Sequence, residues 1–180
     1  KEVMPKGLHW IKQYAAGVDP DNNRVLLKDE TAISYDYLVP APGIQLDWDA
    51  IPGLKEGLGT NGICSNYHPG KVKYTWEVLQ NFKGGNMLFT QAAGPLKCAG
   101  APQKIMYLAE HYLRKHKLRE KGNVIFASPG TKIFGVKEIQ KTLERIVRER
   151  NIHTRFFHKM LEIRPDAKQV VYELTDPEKG

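Results

Sequence analysis

A chain of 180 residues, 41% hydrophobic and 26% charged, has the composition of a globular protein and is long enough to bury a core. Its formal net charge of +7 suits a basic surface or an anionic partner. No apolar run approaches the ~18 residues of a membrane span, two cysteines make no secreted disulfide framework, and no CxxC or His/Cys cluster has zinc-ligand spacing.

The first 43 residues read as a β-rich layer. Leu8–Ile11 and Tyr14–Val18 are both expected to be extended. Asp19-Pro20-Asp21-Asn22-Asn23 is a turn signal, and Arg24–Leu27 leaves it as a strand. After Asp29-Glu30 comes Ala32–Tyr35, and Tyr37-Leu38-Val39 reads as a buried strand ending at Pro40-Ala41-Pro42-Gly43. Residues 44–69, rich in Gly, Asp and Pro, read as a connecting loop.

From Gly70 the pattern alternates helix and strand. Helices are expected on Val72–Phe82, 101–116 and Val136–Val147, and strands on 86–91, Asn123–Ala127 and Ile152–Phe157. The second helix carries Ile105, Leu108, Ala109, Tyr112 and Leu113 at i, i+3, i+4, i+7, i+8, an amphipathic stripe. Leu161–Arg164 and Val170–Leu174 flank a turn as a hairpin. Alternating elements of this length predict an α/β fold. It is a Rossmann-like three-layer domain with a parallel sheet over 70–180, preceded by a β-rich segment and ending in a β-hairpin.

Basic residues concentrate on helix surfaces, from Arg114 to Lys121 and from Lys137 to Arg150, with Glu144–Arg148 at i, i+4 spacing. A solvated face is the first reading, and a surface facing anionic lipid headgroups the second. No aromatic residues interleave these runs, which argues against nucleic-acid binding. His111 and His116 point to different helix faces, and all six histidines read as solvated or locally bonded.

Cys98 stands out. It follows strand 86–91 and precedes a helix with Pro102 in its first turn, between Lys97 and Lys104. A helix N-terminus and two ammonium groups favour a thiolate, the form that attacks sulfur or carbon. One formal GxGxxG exists, at Gly57, Gly59 and Gly62. No strand precedes it and no helix starts at Gly62, so it reads as a glycine-rich loop rather than a dinucleotide fingerprint.

Lys97-Cys98-Ala99-Gly100-Ala101-Pro102-Gln103-Lys104-Ile105-Met106-Tyr107-Leu108 closely resembles the sulfide:quinone oxidoreductases of mitochondrial and related bacterial type. So do Gly62–Tyr67, Ile133–Lys137 and Ser34–Val39. The resemblance implies a central piece of an FAD enzyme. The end of its FAD-binding domain would lie at 1–43, and its second dinucleotide-type domain at 70–180. It implies that Cys98 is one of two redox cysteines that cycle between a sulfur-bridged form and a thiolate plus persulfide. Lys104 and Cys64 are further site candidates, their other readings being a first-turn lysine that points to water and a buried structural cysteine. Ala41, Pro42 and Gly43 would approach FAD, although Pro42 stands where related flavoproteins usually have threonine and removes an N–H donor. The implied partners are sulfide, quinone, a sulfane-sulfur acceptor and a membrane surface, in a bacterial or mitochondrial inner membrane. The FAD fingerprint is expected upstream, and the second cysteine and a membrane-docking segment downstream. Two other readings remain: a nucleotide-binding module, and an NADH dehydrogenase-type domain without sulfide chemistry.

Overall fold

The computed structural model describes residues 4–176 and residue 178. The chain divides into two compact units, Lys1–Ile44 and Gln45–Gly180.

The first unit is an antiparallel meander of β1 (Ala15–Asp19), β2 (Arg24–Leu27) and β3 (Ala32–Ser34). The Asp19 carboxylate accepts from the Asn22 backbone N–H and side-chain amide, and Asn23 takes the left-handed φ of 50° that asparagine tolerates. At the second turn Asp29 accepts from the Thr31 N–H and hydroxyl, and these bonds hold its carboxyl below the usual carboxylate range. Two expected extended segments differ. Leu8–Ile11 forms no strand, and Tyr37-Leu38-Val39 is neither a strand nor buried: Tyr37 is 94% exposed and Val39 86%. A strand needs a ladder partner and a packed face, and Leu27 is the only buried residue among those described in this unit.

In the second unit, a short helix α1 (Leu54–Gly57) interrupts the connecting loop. Then come α2 (Val72–Gln80), β4 (Gly85–Thr90), α3 (Ala101–Lys115), β5 (Gly122–Ala127), α4 (Lys137–Glu149), β6 (His153–Arg155), β7 (His158–Arg164) and β8 (Gln169–Leu174). Strands β4, β5 and β6 pair in parallel with β5 central. Register pairs Met87 with Val124 and Phe89 with Phe126, and these residues face a core of Met106, Leu113, Ile133, Val147 and Ile152. Leu88, Ile125 and Thr90 point to the opposite face. There Thr90 meets Tyr172 of the β7–β8 hairpin, and both hydroxyls are buried without a well-formed hydrogen bond. Helices on one face and the hairpin on the other make three layers, as expected for this α/β fold. The sixth strand is shorter than its apolar run because Phe157 turns left-handed (φ 61°) and its N–H donates to Gly130 O, so the chain leaves the sheet.

The basic runs are not wholly solvated. Glu110 of α3 is fully buried and gathers Arg114 at 3.1 Å, Arg150 at 3.0 Å and Arg119 at 4.0 Å. Arg119 also donates to the carbonyls of Gly122, Arg150 and Asn151. On α4 the ion pair at i, i+4 is Arg145–Glu149, and Glu144 accepts instead from Gln140. No described helix is long and apolar enough to cross a membrane.

Candidate functional site

Cys98 belongs to the loop between β4 and α3. The Gln91 N–H donates to Ala127 O, one step beyond the β4–β5 ladder, and Gly94 then turns at φ 100°. Here the chain leaves the C-terminal edge of the parallel sheet, where such folds place their ligands. Cys98 is a free, exposed thiol. Its carbonyl accepts from the Ala101 N–H at 3.0 Å, and Gly100 caps α3 with Pro102 in the first turn. No acidic residue sits in that turn, and Lys104 is exposed there. The positive helix end faces the loop without a carboxylate to offset it. Lys104 makes no hydrogen bond to Cys98 among the described residues.

Phe134 stands near the thiol across Gly100. A methyl group built on Gly100 would lie 4.0 Å from Cys98 Sγ and 3.7 Å from Phe134 Cε2, so the sulfur and the ring flank the same gap. Phe134 follows Ile133, whose carbonyl accepts from the side-chain amide of Gln103. Gln103 is 2% exposed, and the Tyr107 hydroxyl donates to its Oε1 at 3.4 Å. Nothing in the sequence reading marked Gln103. The available signal was its spacing: with Met106 and Glu110 it falls at i, i+3, i+7.

Cys64 lies in a different setting. It is half-buried, donates to Gly62 O at 3.5 Å and approaches the Thr75 hydroxyl. Burial pushes its thiol pKa up, with Thr75 opposing the shift. Cys64 and Cys98 are both free. Gly57 ends α1, and Gly59 and Gly62 lie in the loop after it: the Gly59 N–H donates to Ile63 O, and the Gly62 N–H donates to the Tyr74 hydroxyl. The next helix starts only at Val72, so no phosphate cradle forms at Gly62.

Ala41, Pro42 and Gly43 are exposed in the first unit. Gly43 has φ 79°, a conformation that leaves its face open to close approach. No backbone hydrogen bond engages the Ala41 or Gly43 N–H among the described residues, so both donors are open to acceptor atoms of a cofactor. No group of three His, Cys, Asp or Glu suited to a metal occurs among the described residues. A cleft of about 370 Å³ lies at the Glu110 cluster, lined by Arg114, Arg119 and Arg150 with Glu120 and Glu149. Its charges balance within it, and it holds neither cysteine.

No protein-family model matches the chain. It is 47% identical over 174 residues to a mouse protein named sulfide:quinone oxidoreductase, mitochondrial, a match covering 97% of this chain and 39% of that one. The chain thus spans about two fifths of the length of the curated relatives it matches. The solved sulfide:quinone oxidoreductase of the bacterium Aquifex aeolicus matches with a TM-score of 0.71 and 26% identity, over 92% of this chain and 38% of that one. A chain in the Tetrahymena thermophila mitochondrial ATP synthase structure matches with a TM-score of 0.74 over 91% of this chain and 42% of that one. At 20% identity this likeness shows the fold alone.

Proposed function

We propose, for a chain that belongs over the shared segment to the sulfide:quinone oxidoreductase family, that it carries the sulfur-reacting thiol of a flavin enzyme. That thiol is Cys98. The observation that supports this most is its position: an exposed free thiol at the C-terminal edge of the parallel sheet, against the N-terminal end of a 15-residue helix.

In this reading residues 1–43 end the FAD-binding domain, 44–69 connect, and 70–180 form the second domain. Ala41 and Gly43 offer backbone N–H groups toward FAD, and Pro42 stiffens the loop without donating. FAD, when bound, takes up an electron pair and relays it to quinone. The chain's own part is sulfur transfer. Sulfide attacks one sulfur of a bridge between Cys98 and a second cysteine elsewhere in the complete enzyme. A new S–S bond forms, the bridge bond breaks, and the displaced sulfur leaves with the electron pair. Where Cys98 is displaced, its sulfur holds that pair as an anion, stabilised by the α3 terminus and by the charge of Lys104. The persulfide then hands its outer sulfur to a sulfane-sulfur acceptor, leaving two thiolates, and the bridge closes again as they give up the electron pair to the two-electron acceptor that FAD would supply. The balance is one sulfide sulfur oxidised by two electrons, with quinone reduced by the same two. Quinones dissolve in lipid, so in this reading the complete enzyme works at a membrane surface, and three of its relatives are named mitochondrial.

The test is substitution in the complete enzyme. Cys98→Ser abolishes sulfide-dependent flavin reduction while FAD stays bound, because a serine hydroxyl neither ionises near neutrality nor carries sulfane sulfur. Cys64→Ser does much less. Equal losses in both variants would make Cys64 the redox partner, and an active Cys98→Ser enzyme would remove the reading.

A further inference from the structure

We propose that Gln103 is a positioning residue for Cys98, a role that rests on reading Cys98 as the reacting thiol. Gln103 is almost fully buried at the third position of α3, where an apolar residue would serve packing better. It makes two connections at once. Its backbone N–H donates to Gly100 O at 3.2 Å, closing the first turn, and its side-chain amide donates to Ile133 O. The Ile133 carbonyl can only accept, so it fixes the NH2 end of the amide toward it, and the Tyr107 hydroxyl, on the same helix face, donates to the Oε1 that is left.

The two connections join the start of α3, which carries the thiol, to the segment that carries Phe134. Cys98 and Gly100 ride on the start of α3, and Phe134 rides on the segment whose carbonyl Gln103 holds. The gap between Cys98 Sγ and the Phe134 ring is therefore set through one buried amide. An apolar residue of the same volume would fill the core but leave Ile133 O without its donor, and the two segments would move independently.

The experiment uses this chain with Cys64→Ser, so that Cys98 is its one thiol, and follows reaction with 4,4′-dithiodipyridine from pH 4.5 to 8. This disulfide reagent needs no sulfide chemistry, so the outcome is separate from the fate of the proposed function. Gln103→Met should react about threefold faster across the range, because the Phe134 segment is released. Gln103→Glu should follow the Gln103 parent at the acid end, where the carboxyl is protonated and its O–H donates to Ile133 O. It should approach the Met variant at the alkaline end, where carboxylate faces carbonyl. Superimposable profiles for all three, with only the melting temperature lowered in the variants, would overturn the proposal and leave Gln103 a packing residue. Should the Met variant not fold, the Glu variant alone decides: a constant rate ratio to the parent across pH also overturns it.

Discussion

Arg150, the residue that closes α4, donates to Glu110 Oε2 at 3.0 Å across 40 positions of sequence, and Glu110 is fully buried. Arg119 completes the arrangement by donating to the carbonyls of Gly122, Arg150 and Asn151. One carboxylate thus ties α3 to the entrances of β5 and β6, the edge of the parallel sheet away from Cys98. Glu110→Ala leaves the guanidinium groups of Arg114, Arg119 and Arg150 without their counter-ion. A loss of about 3 kcal/mol is expected in urea unfolding, with an unchanged rate of Cys98 modification in the folded protein. A stability loss below about 1 kcal/mol would mean that water serves the arginines equally well.

Gly53 and Gly62 make a matched pair for backbone strain. Both have left-handed φ, 80° and 83°. A methyl on Gly53 would lie 1.9 Å from Ile163 O, whereas one on Gly62 meets nothing within 4 Å. Gly62→Ala should cost about 1 kcal/mol, the conformational term alone. Gly53→Ala should cost more than about 3 kcal/mol, because it also drives apart the Pro52–Ile163 contact that joins the loop to β7. Thermal unfolding of the two variants measures the difference.

Gly100→Ala tests the gap at the thiol. The backbone there has φ −84°, open to any residue, and the added methyl makes ordinary contacts with Phe134 and Cys98. The fold should survive with a change within about 1 kcal/mol. Reaction of Cys98 with a bulky disulfide should slow about threefold. Unaltered reactivity would show that reagents approach the sulfur from elsewhere.

Alkaline pH should weaken the fold. Burial raises the thiol of Cys64 and the phenols of Tyr107 and Tyr172 above their ordinary values. Above the unfolded value, near 8.5 for cysteine and 10 for tyrosine, the unfolded chain has released protons that the folded chain still holds. Stability therefore falls as pH rises through that window. The contribution is whole below pH 8 and lost once the folded groups ionise. Urea midpoints at pH 7, 9 and 10.5 should decline in that order. Cys64 should also be modified more slowly than Cys98 at pH 7.

The helix α3 shows where sequence reading ends. Its limits were legible, because Pro102 and the apolar spacing mark a helix from 101 to about 116, and the structure places it at Ala101–Lys115. Its buried face was legible in part. Of the apolar stripe, Ala109 and Leu113 are buried and Ile105 and Tyr112 half-buried, but Leu108 is 65% exposed while Gln103 and Glu110 lie inside. Periodicity counts apolar residues, and these two polar ones are satisfied inside by groups beyond the helix, Ile133 O for Gln103 and Arg119 and Arg150 for Glu110.

The sequence by itself determined the alternation of strands and helices, the loop that carries Cys98 and the likeness to sulfide:quinone oxidoreductases, since these rest on local spacing and on residue identity. Tyr37–Val39 had the composition of a strand but not the partner, and pairing is a property of the folded chain. Tertiary structure alone decided which charges left water, that Gln103 and Glu110 of α3 turned inward while Leu108 did not, and that Phe134 stands beside Cys98. Each is set by atoms that approach only after distant segments have packed.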